Sequence, residues 1–207
     1  MTFESYHAIK RKTVGKYGTC VVKLDMHKAY DRVEWCFLEK VLLRLGFRPT
    51  WVALIMECVK SVRYQVRVNN DLSDYFVPPR GLRQGDPLSP YLFLLCDEGL
   101  SSLIMHEEEA GNLLGVRVCR DAPPVSHLLF ADDSLILMRA DTTNANSLRR
   151  ALEHYCAASG QLVSEAKLSI FFSPCTPVET RVEVCTSLNI MAEVITDKYL
   201  GLPPIVE

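Results

Sequence analysis

An α+β fold, a mostly antiparallel sheet with helices packed on one face, is what this sequence predicts, and three observations carry the prediction. Short β-rich runs are interleaved with stretches of helical periodicity along the 207 residues. Two pairs of these runs lie close enough in the chain to fold back as hairpins, which gives antiparallel pairing. No linker rich in Pro, Gly or Ser, no internal repeat and no low-complexity stretch divides the chain, so the elements are expected to share one core.

Taken in order, Thr19-Cys-Val-Val-Lys-Leu-Asp25 is a β-rich run that reads as a buried strand. From Arg32 to Leu45 the residues Trp35, Leu38, Leu42 and Leu45 recur at helical spacing, and Gly46 is a natural stop. Thr50 is a candidate N-cap for a second helix, Trp51 to Lys60. Tyr64, Val66 and Val68 alternate with Gln65 and Arg67. Asn69-Asn70-Asp71 then offers a turn before Tyr75-Phe76-Val77, the pattern of a hairpin. Asp86 or Ser89 opens a long helix that passes Leu103, reaches Glu109 and stops near Gly111. Val116-Arg117-Val118 is a short strand. Two apolar runs, Leu128-Leu129-Phe130 and Leu135-Ile136-Leu137, flank Ala131-Asp132-Asp133-Ser134 as a hairpin with acids at its tip. Ser147 to Ala158 is helical and ends at Gly160; Ser169 to Phe172 is a strand, Val178 to Leu188 a helix, and Tyr199 to Leu202 a last short strand.

Composition narrows the class. With 48% hydrophobic and 23% charged residues the chain sits near the globular average, which excludes disordered, collagen-like and disulfide-scaffold classes. No apolar run approaches the roughly 20 residues that span a bilayer, and Leu88 to Leu100 is broken by Pro90, Asp97 and Glu98. No membrane partner is expected. Met1 to Lys16 mixes charged residues with no apolar core and does not read as a secretory signal. The eight cysteines form no Cys-x-x-Cys pair and mostly lie in apolar segments. Buried, reduced thiols in a reducing compartment, cytoplasm or nucleus, are therefore expected, with no disulfide-linked partner. A net charge of −2, taken alone, argues mildly against nucleic acid, because neutralising phosphates usually takes a basic surface.

Three carboxylates stand out by location. Asp25 ends an apolar strand, and Asp132 with Asp133 interrupts two apolar runs. An unpaired buried carboxylate is costly, so acids here need a turn, a cation or a metal. For the Asp132-Asp133 pair alone, turn formation is as good an explanation as chemistry. The third acid shifts the balance. Two acids at a hairpin tip and one from a neighbouring strand end can hold two Mg²⁺ ions about 4 Å apart, which stabilises both oxygens of an in-line phosphoryl transfer. No His/Cys cluster competes for zinc, and His27 and His127 read as ordinary polar residues. Between the acids lies Arg80-Gly-Leu-Arg-Gln-Gly-Asp-Pro-Leu-Ser-Pro90, whose glycines and prolines specify a fixed loop. By itself it is a polar loop leading into a helix. Arg83 and Gln84 could also donate to phosphates or base edges, and Gly85 allows close backbone approach.

In combination these blocks carry a resemblance. Lys23-Leu-Asp-Met-His-Lys-Ala-Tyr-Asp-Arg-Val33, then Gly81-Leu-Arg-Gln-Gly-Asp-Pro-Leu-Ser-Pro90, then Phe130-Ala-Asp-Asp133 resembles the reverse transcriptases of non-LTR (LINE-type) retrotransposons, most of all those abundant in plant genomes. The likeness covers nearly the whole chain. It implies a polymerase palm over residues 19–207 and a remnant of fingers over 1–18. It also implies that Asp25, Asp132 and Asp133 are catalytic ligands of two Mg²⁺ ions (or Mn²⁺ in their place), with Asp132 the stronger ligand of the hairpin pair. Tyr30 corresponds to the steric gate against a ribose 2′-OH. Arg83, Gln84 and Gly85 correspond to the loop that meets template and incoming dNTP, and Asp31 to a structural acid pairing with Lys28 or Arg32.

Downstream, Ser159-Gly-Gln-Leu-Val-Ser-Glu-Ala-Lys167 resembles the family's Gly-Leu-x-x-Asn-x-x-Lys segment and implies that Lys167 sits near the triphosphate. Ser164 replaces the usual Asn and Leu168 the usual Ser. Lys198-Tyr-Leu-Gly-Leu-Pro203 resembles the primer grip, with Tyr199, Leu200 and Gly201 at its centre; the segment is placed at 197–203. Asp97 stands in a mostly apolar helix where the family has a small residue, and an ion pair is its only suggested role. No block resembles a thumb, a complete fingers region, an endonuclease or an RNase H. The expected function is RNA-directed DNA polymerisation, with an RNA template, a DNA primer and dNTP as partners. The alternative is an inactive transposon-derived remnant that folds and binds nucleic acid weakly. A two-metal nuclease or phosphatase fits the carboxylates alone, but not the Arg83-Gln84-Gly85 loop or Tyr30.

Overall fold

The computed structural model describes residues 9–15, 17–119, 121–130 and 133–190. Its centre is a four-stranded sheet in the order β4-β5-β1-β6, formed by β1 (Thr19–Asp25), β4 (His127–Phe130), β5 (Asp133–Arg139) and β6 (Ser169–Phe172). All three pairings are antiparallel. β1 is buried along its whole length, which explains why Cys20, Val21, Val22 and Leu24 fall on both of its faces and do not alternate with exposed residues. Its register with β5 runs from Thr19 opposite Arg139 to Asp25 opposite Asp133.

The two faces of the sheet are covered differently. Cys20, Val22, Leu24, Ile136, Met138, Ile170 and Phe172 join the large helical core. Against them pack α2 (Trp35–Arg44), α3 (Pro49–Lys60), α4 (Ser89–Glu109), α5 (Thr142–Ser159) and α6 (Val178–Leu188), so the helices stand on one face as expected. On the other face Val21, Leu135 and Leu137 meet Ile9 and Val116 in a smaller cluster. Because strand side chains alternate, Asp25 and Asp133 share this second face, away from the helices.

Several boundaries differ from the sequence-based expectation. The helix expected from Arg32 splits into a single turn, α1 (Ala29–Arg32), and α2, with Val33 extended between them at ψ 115°. Thr50 is not the cap of α3: Pro49 occupies the first turn, where its missing N–H costs nothing, and Arg48 precedes it in extended geometry. The hairpin is built from β2 (Arg67–Val68) and β3 (Asp71–Leu72), with Tyr64 and Phe76 bridged further along. Its turn is Asn69-Asn70 alone, both at positive φ, the conformation a two-residue hairpin loop needs. Val116 forms an isolated bridge to Val125 and not a longer strand. α5 begins at Thr142, five residues earlier than expected, because the Asp141 carboxylate accepts from the Asn144 backbone N–H at 2.9 Å. It ends at Gly160 with φ +77°. The strand expected at Tyr199 to Leu202 lies outside the described residues.

The thiols also differ from expectation. All eight cysteines are free, but only Cys20 and Cys96 are buried, while Cys36, Cys58 and Cys119 are exposed. Segment hydrophobicity overstated burial because helices α2 and α3 turn part of their apolar sequence outward. Among the described residues no helix is long and apolar enough to cross a membrane.

Candidate active site

The site begins where β1 ends. Asp25 and Asp133 are direct cross-strand partners, so their β-carbons lie about 5 Å apart on one face of the sheet. Like charges placed this way repel, and the arrangement calls for a cation. Lys167 supplies one: its Nζ donates to both Asp25 oxygens, at 3.1 Å and 2.9 Å. The Asp25 side chain is 12% exposed and that of Lys167 58%, so the pair is half in solvent and contributes at most about 1 kcal/mol. Asp132 precedes Asp133 in the chain and lies outside the described residues, as do Tyr199, Leu200 and Gly201.

Backbone contacts explain how Lys167 arrives there. The Ser164 N–H donates to the Asp25 carbonyl at 2.8 Å, the His27 N–H to the Leu162 carbonyl at 2.8 Å, and Met26 bridges Val163. Higher up, the buried Gln161 amide donates to the Ala29 carbonyl at 2.7 Å, and Arg32 Nε to the Gly160 carbonyl at 2.9 Å. Residues 160–164 therefore run along the chain that follows β1, and a turn closed by the Lys167 N–H on the Ser164 carbonyl brings the ammonium to Asp25. Ser164 contributes through its backbone, so the departure from Asn leaves this geometry intact.

The loop of the second block is tied to the same element. The Leu82 N–H donates to the Tyr30 carbonyl and the Gly81 N–H to the Val33 carbonyl, each at 2.8 Å. The Trp35 indole N–H donates to the Gly81 carbonyl at 2.8 Å, and Arg80 pairs with Glu34 at 3.0 Å. Gly81 is at φ +95°, and a Cβ there would stand 2.8 Å from the Asp31 carbonyl oxygen, so the close approach of loop to helix needs glycine. Gly85, at φ +82°, has open space around it. Tyr30 stacks on Phe93 with ring centroids 4.9 Å apart and planes 14° from parallel, which fixes the ring as a wall. Gln84 Nε2 donates to Asp31 Oδ1 at 3.3 Å; Asp31 thus holds the second block and not Lys28 or Arg32. Arg83 is exposed beside it.

Two residues carry more than their sequence suggested. Asp97 is 6% exposed and accepts from the Tyr155 hydroxyl at 3.1 Å, a bond between α4 and α5 where only an ion pair was in view. Burial, and then the Asp97 charge, push the Tyr155 hydroxyl far above its usual pKa, so it stays a donor. His127 is also no ordinary surface residue. Ser126 Oγ donates to Glu108 at 2.8 Å, which leaves it to accept from His127 Nδ1; Nε2 then accepts from Ser101 Oγ at 2.8 Å. Burial lowers the His127 pKa, so the ring is neutral at pH 7 and braces β4 against α4.

Comparison with known proteins fits this geometry. Residues 1–203 match the family described as reverse transcriptase (RNA-dependent DNA polymerase), and the chain belongs to that family. Among its relatives, an uncharacterized mitochondrial protein of Arabidopsis thaliana is 54% identical over 67 residues, 32% of this chain and 55% of that protein. A Pol polyprotein from the type-1 retrotransposable element R2 of Popillia japonica is 28% identical over 72% of this chain and 24% of its own length. The chain thus spans about half or less of the relatives it matches. The fold is shared with telomerase from Candida albicans: the match covers 85% of this chain and 32% of the other, with a TM-score of 0.61 at 14% identity.

Proposed function

We propose that this chain carries the nucleotidyl-transfer site of an RNA-directed DNA polymerase, adding dNTP to a DNA primer on an RNA template. The observation that carries the reading is the pairing of Asp25 with Asp133 across β1 and β5, with Lys167 drawn to the same carboxylate, in a chain of the reverse transcriptase family. Facing carboxylates that already attract a cation are the hard oxygen donors a magnesium ion takes. Asp25, Asp132 and Asp133 would hold two Mg²⁺ ions, or Mn²⁺ in their place. Bound there, such ions neutralise triphosphate charge and stabilise the attacking and leaving oxygens.

The remaining work falls to the protein. Tyr30, fixed against Phe93, closes the space under the sugar and excludes a 2′-OH. Arg83 and Gln84 offer donors to the template and the triphosphate, and Gly85 admits their backbone. Lys167, released from Asp25, keeps a proton at Nζ for the departing pyrophosphate. Such catalysis is mostly positioning and electrostatics. The free thiols suit a reducing compartment, nucleus or cytoplasm. Primer extension on an RNA template with Mg²⁺ or Mn²⁺ tests the reading. Weak extension at most is expected from these 207 residues alone, and a loss on the order of 10²-fold or more from Asp132→Ala. Extension that survives the substitution refutes the metal-site assignment. Absence of extension by the wild type, with restoration in a chain lengthened by fingers and thumb segments, marks the fragment as inactive alone.

A further inference from the structure

A cleft of about 560 Å³ is lined by Asp31, Gly81, Leu82, Arg83, Gln84 and the aromatic pair Tyr64 and Phe76, with the Pro78-Pro79-Arg80 approach completing it. Tyr64 and Phe76 are bridged across the hairpin, each N–H donating to the other's carbonyl at 2.9 Å and 3.0 Å. Their rings lie 5.9 Å apart and 28° from parallel. Phe76 is 49% exposed, far more than an aromatic ring held for packing alone. Nothing in the reaction described above uses this wall.

We propose that Tyr64 and Phe76 form a stacking platform for an unpaired base of the single-stranded RNA template before it reaches the carboxylates. The proposal rests on the polymerase reading for the identity of the strand. Three features favour single-stranded nucleic acid over an apolar partner. Tyr64 and Phe76 line the cleft together with Arg83 and with Gln84, whose Nε2 donates to Asp31 Oδ1 at 3.3 Å. Arg63, Arg67 and Arg83, on the hairpin and its loop, make no ion pair among the described residues, so their charges are available to phosphates. Aromatic rings interleaved with arginines that make no close ion pair, here with Asp71 and Asp74 on the same hairpin, suit a sequence-tolerant single-strand site, because every base has a stacking face. A duplex cannot offer an unpaired base and has no use for the wall.

Fluorescence anisotropy with a short labelled oligo(A) RNA and the full chain tests it. Tyr64→Ala/Phe76→Ala is expected to bind about tenfold or more weakly, while Tyr64→Phe and Phe76→Tyr bind as the wild type does. A blunt-ended RNA duplex, which has no unpaired bases, should show no difference among these variants. In Phe76→Trp, added oligo(A) should quench fluorescence beyond the quenching of the wild type. Circular dichroism establishes that the double variant is folded; should it fail to fold, the Trp quenching decides alone. Equal binding by the folded double variant, or absent quenching in Phe76→Trp, overturns the proposal. So does a wild-type dimer that dissociates on the double substitution, since a second chain would then fill the cleft. Failure of primer extension with the binding contrast intact counts against the polymerase reading and not against the platform.

Discussion

Strand β1 and the β2–β3 hairpin are both β-structure, yet they are opposites. Every residue of β1 is buried and each edge is paired, to β5 on one side and β6 on the other. Every residue of β2 and β3 is exposed, and the hairpin pairs only with itself. The difference teaches how this molecule divides positioning from contact. In the proposed metal site Asp25 must stand at a set distance from Asp133, and a strand paired on both edges would provide that. The hairpin carries rings and arginines to solvent, where tolerance of different partners matters more than register.

Substitutions can break or sharpen this contrast. The largest effect is expected in the sheet: Ile136, opposite Val22 and fully buried, should cost about 2–5 kcal/mol on replacement by Ala, read by chemical denaturation. Gly81, which joins the hairpin to the element after β1, should come next. Gly81→Ala at φ +95° against the Asp31 carbonyl should cost about 1–3 kcal/mol and lower primer extension with it. An unchanged melting curve would show that loop and helix are not locked together. The smallest effect is expected at the hairpin tip, where Val68→Ala should change stability by less than about 0.5 kcal/mol. A loss as large as that at Ile136 would mean the hairpin belongs to the core.

What was legible in the sequence follows the same division. Thr19–Asp25, Ser169–Phe172 and Val178–Leu188 were readable residue by residue because polar or turn-forming residues bound short apolar runs. The break at Val33 was not, because it is made by distant groups: the Gly81 N–H on the Val33 carbonyl and the Glu34 N–H on the Ser159 carbonyl. The early start of α5 has a readable signal in Asp141, masked by the polarity of the first turn, Thr142-Thr143-Asn144. In the site, periodicity could flag Asp25 and Asp133 as misplaced acids but could not give their register, which depends on how two remote strands align. The contact of Lys167 with Asp25 was not legible: the resemblance implied only a place near the triphosphate, and the contact depends on residues 160–164 running along the chain after β1. The partners of Asp31, Asp97 and His127 all come from other elements, and no local pattern announces them.

The order of the strands has a consequence for synthesis. β1 is made well before its hydrogen-bonding neighbours, which begin only at Asp133 and Ser169. Until the ribosome has delivered both, Cys-Val-Val-Lys-Leu is an apolar strand with two bare edges, the kind of segment that pairs with other chains. Closing loops of this length also slows folding. From the synthesis of Asp25 until that of Phe172 the nascent chain therefore carries β1 with unpaired edges, and a chaperone that holds residues 19–25 until β6 emerges should raise the yield of folded protein.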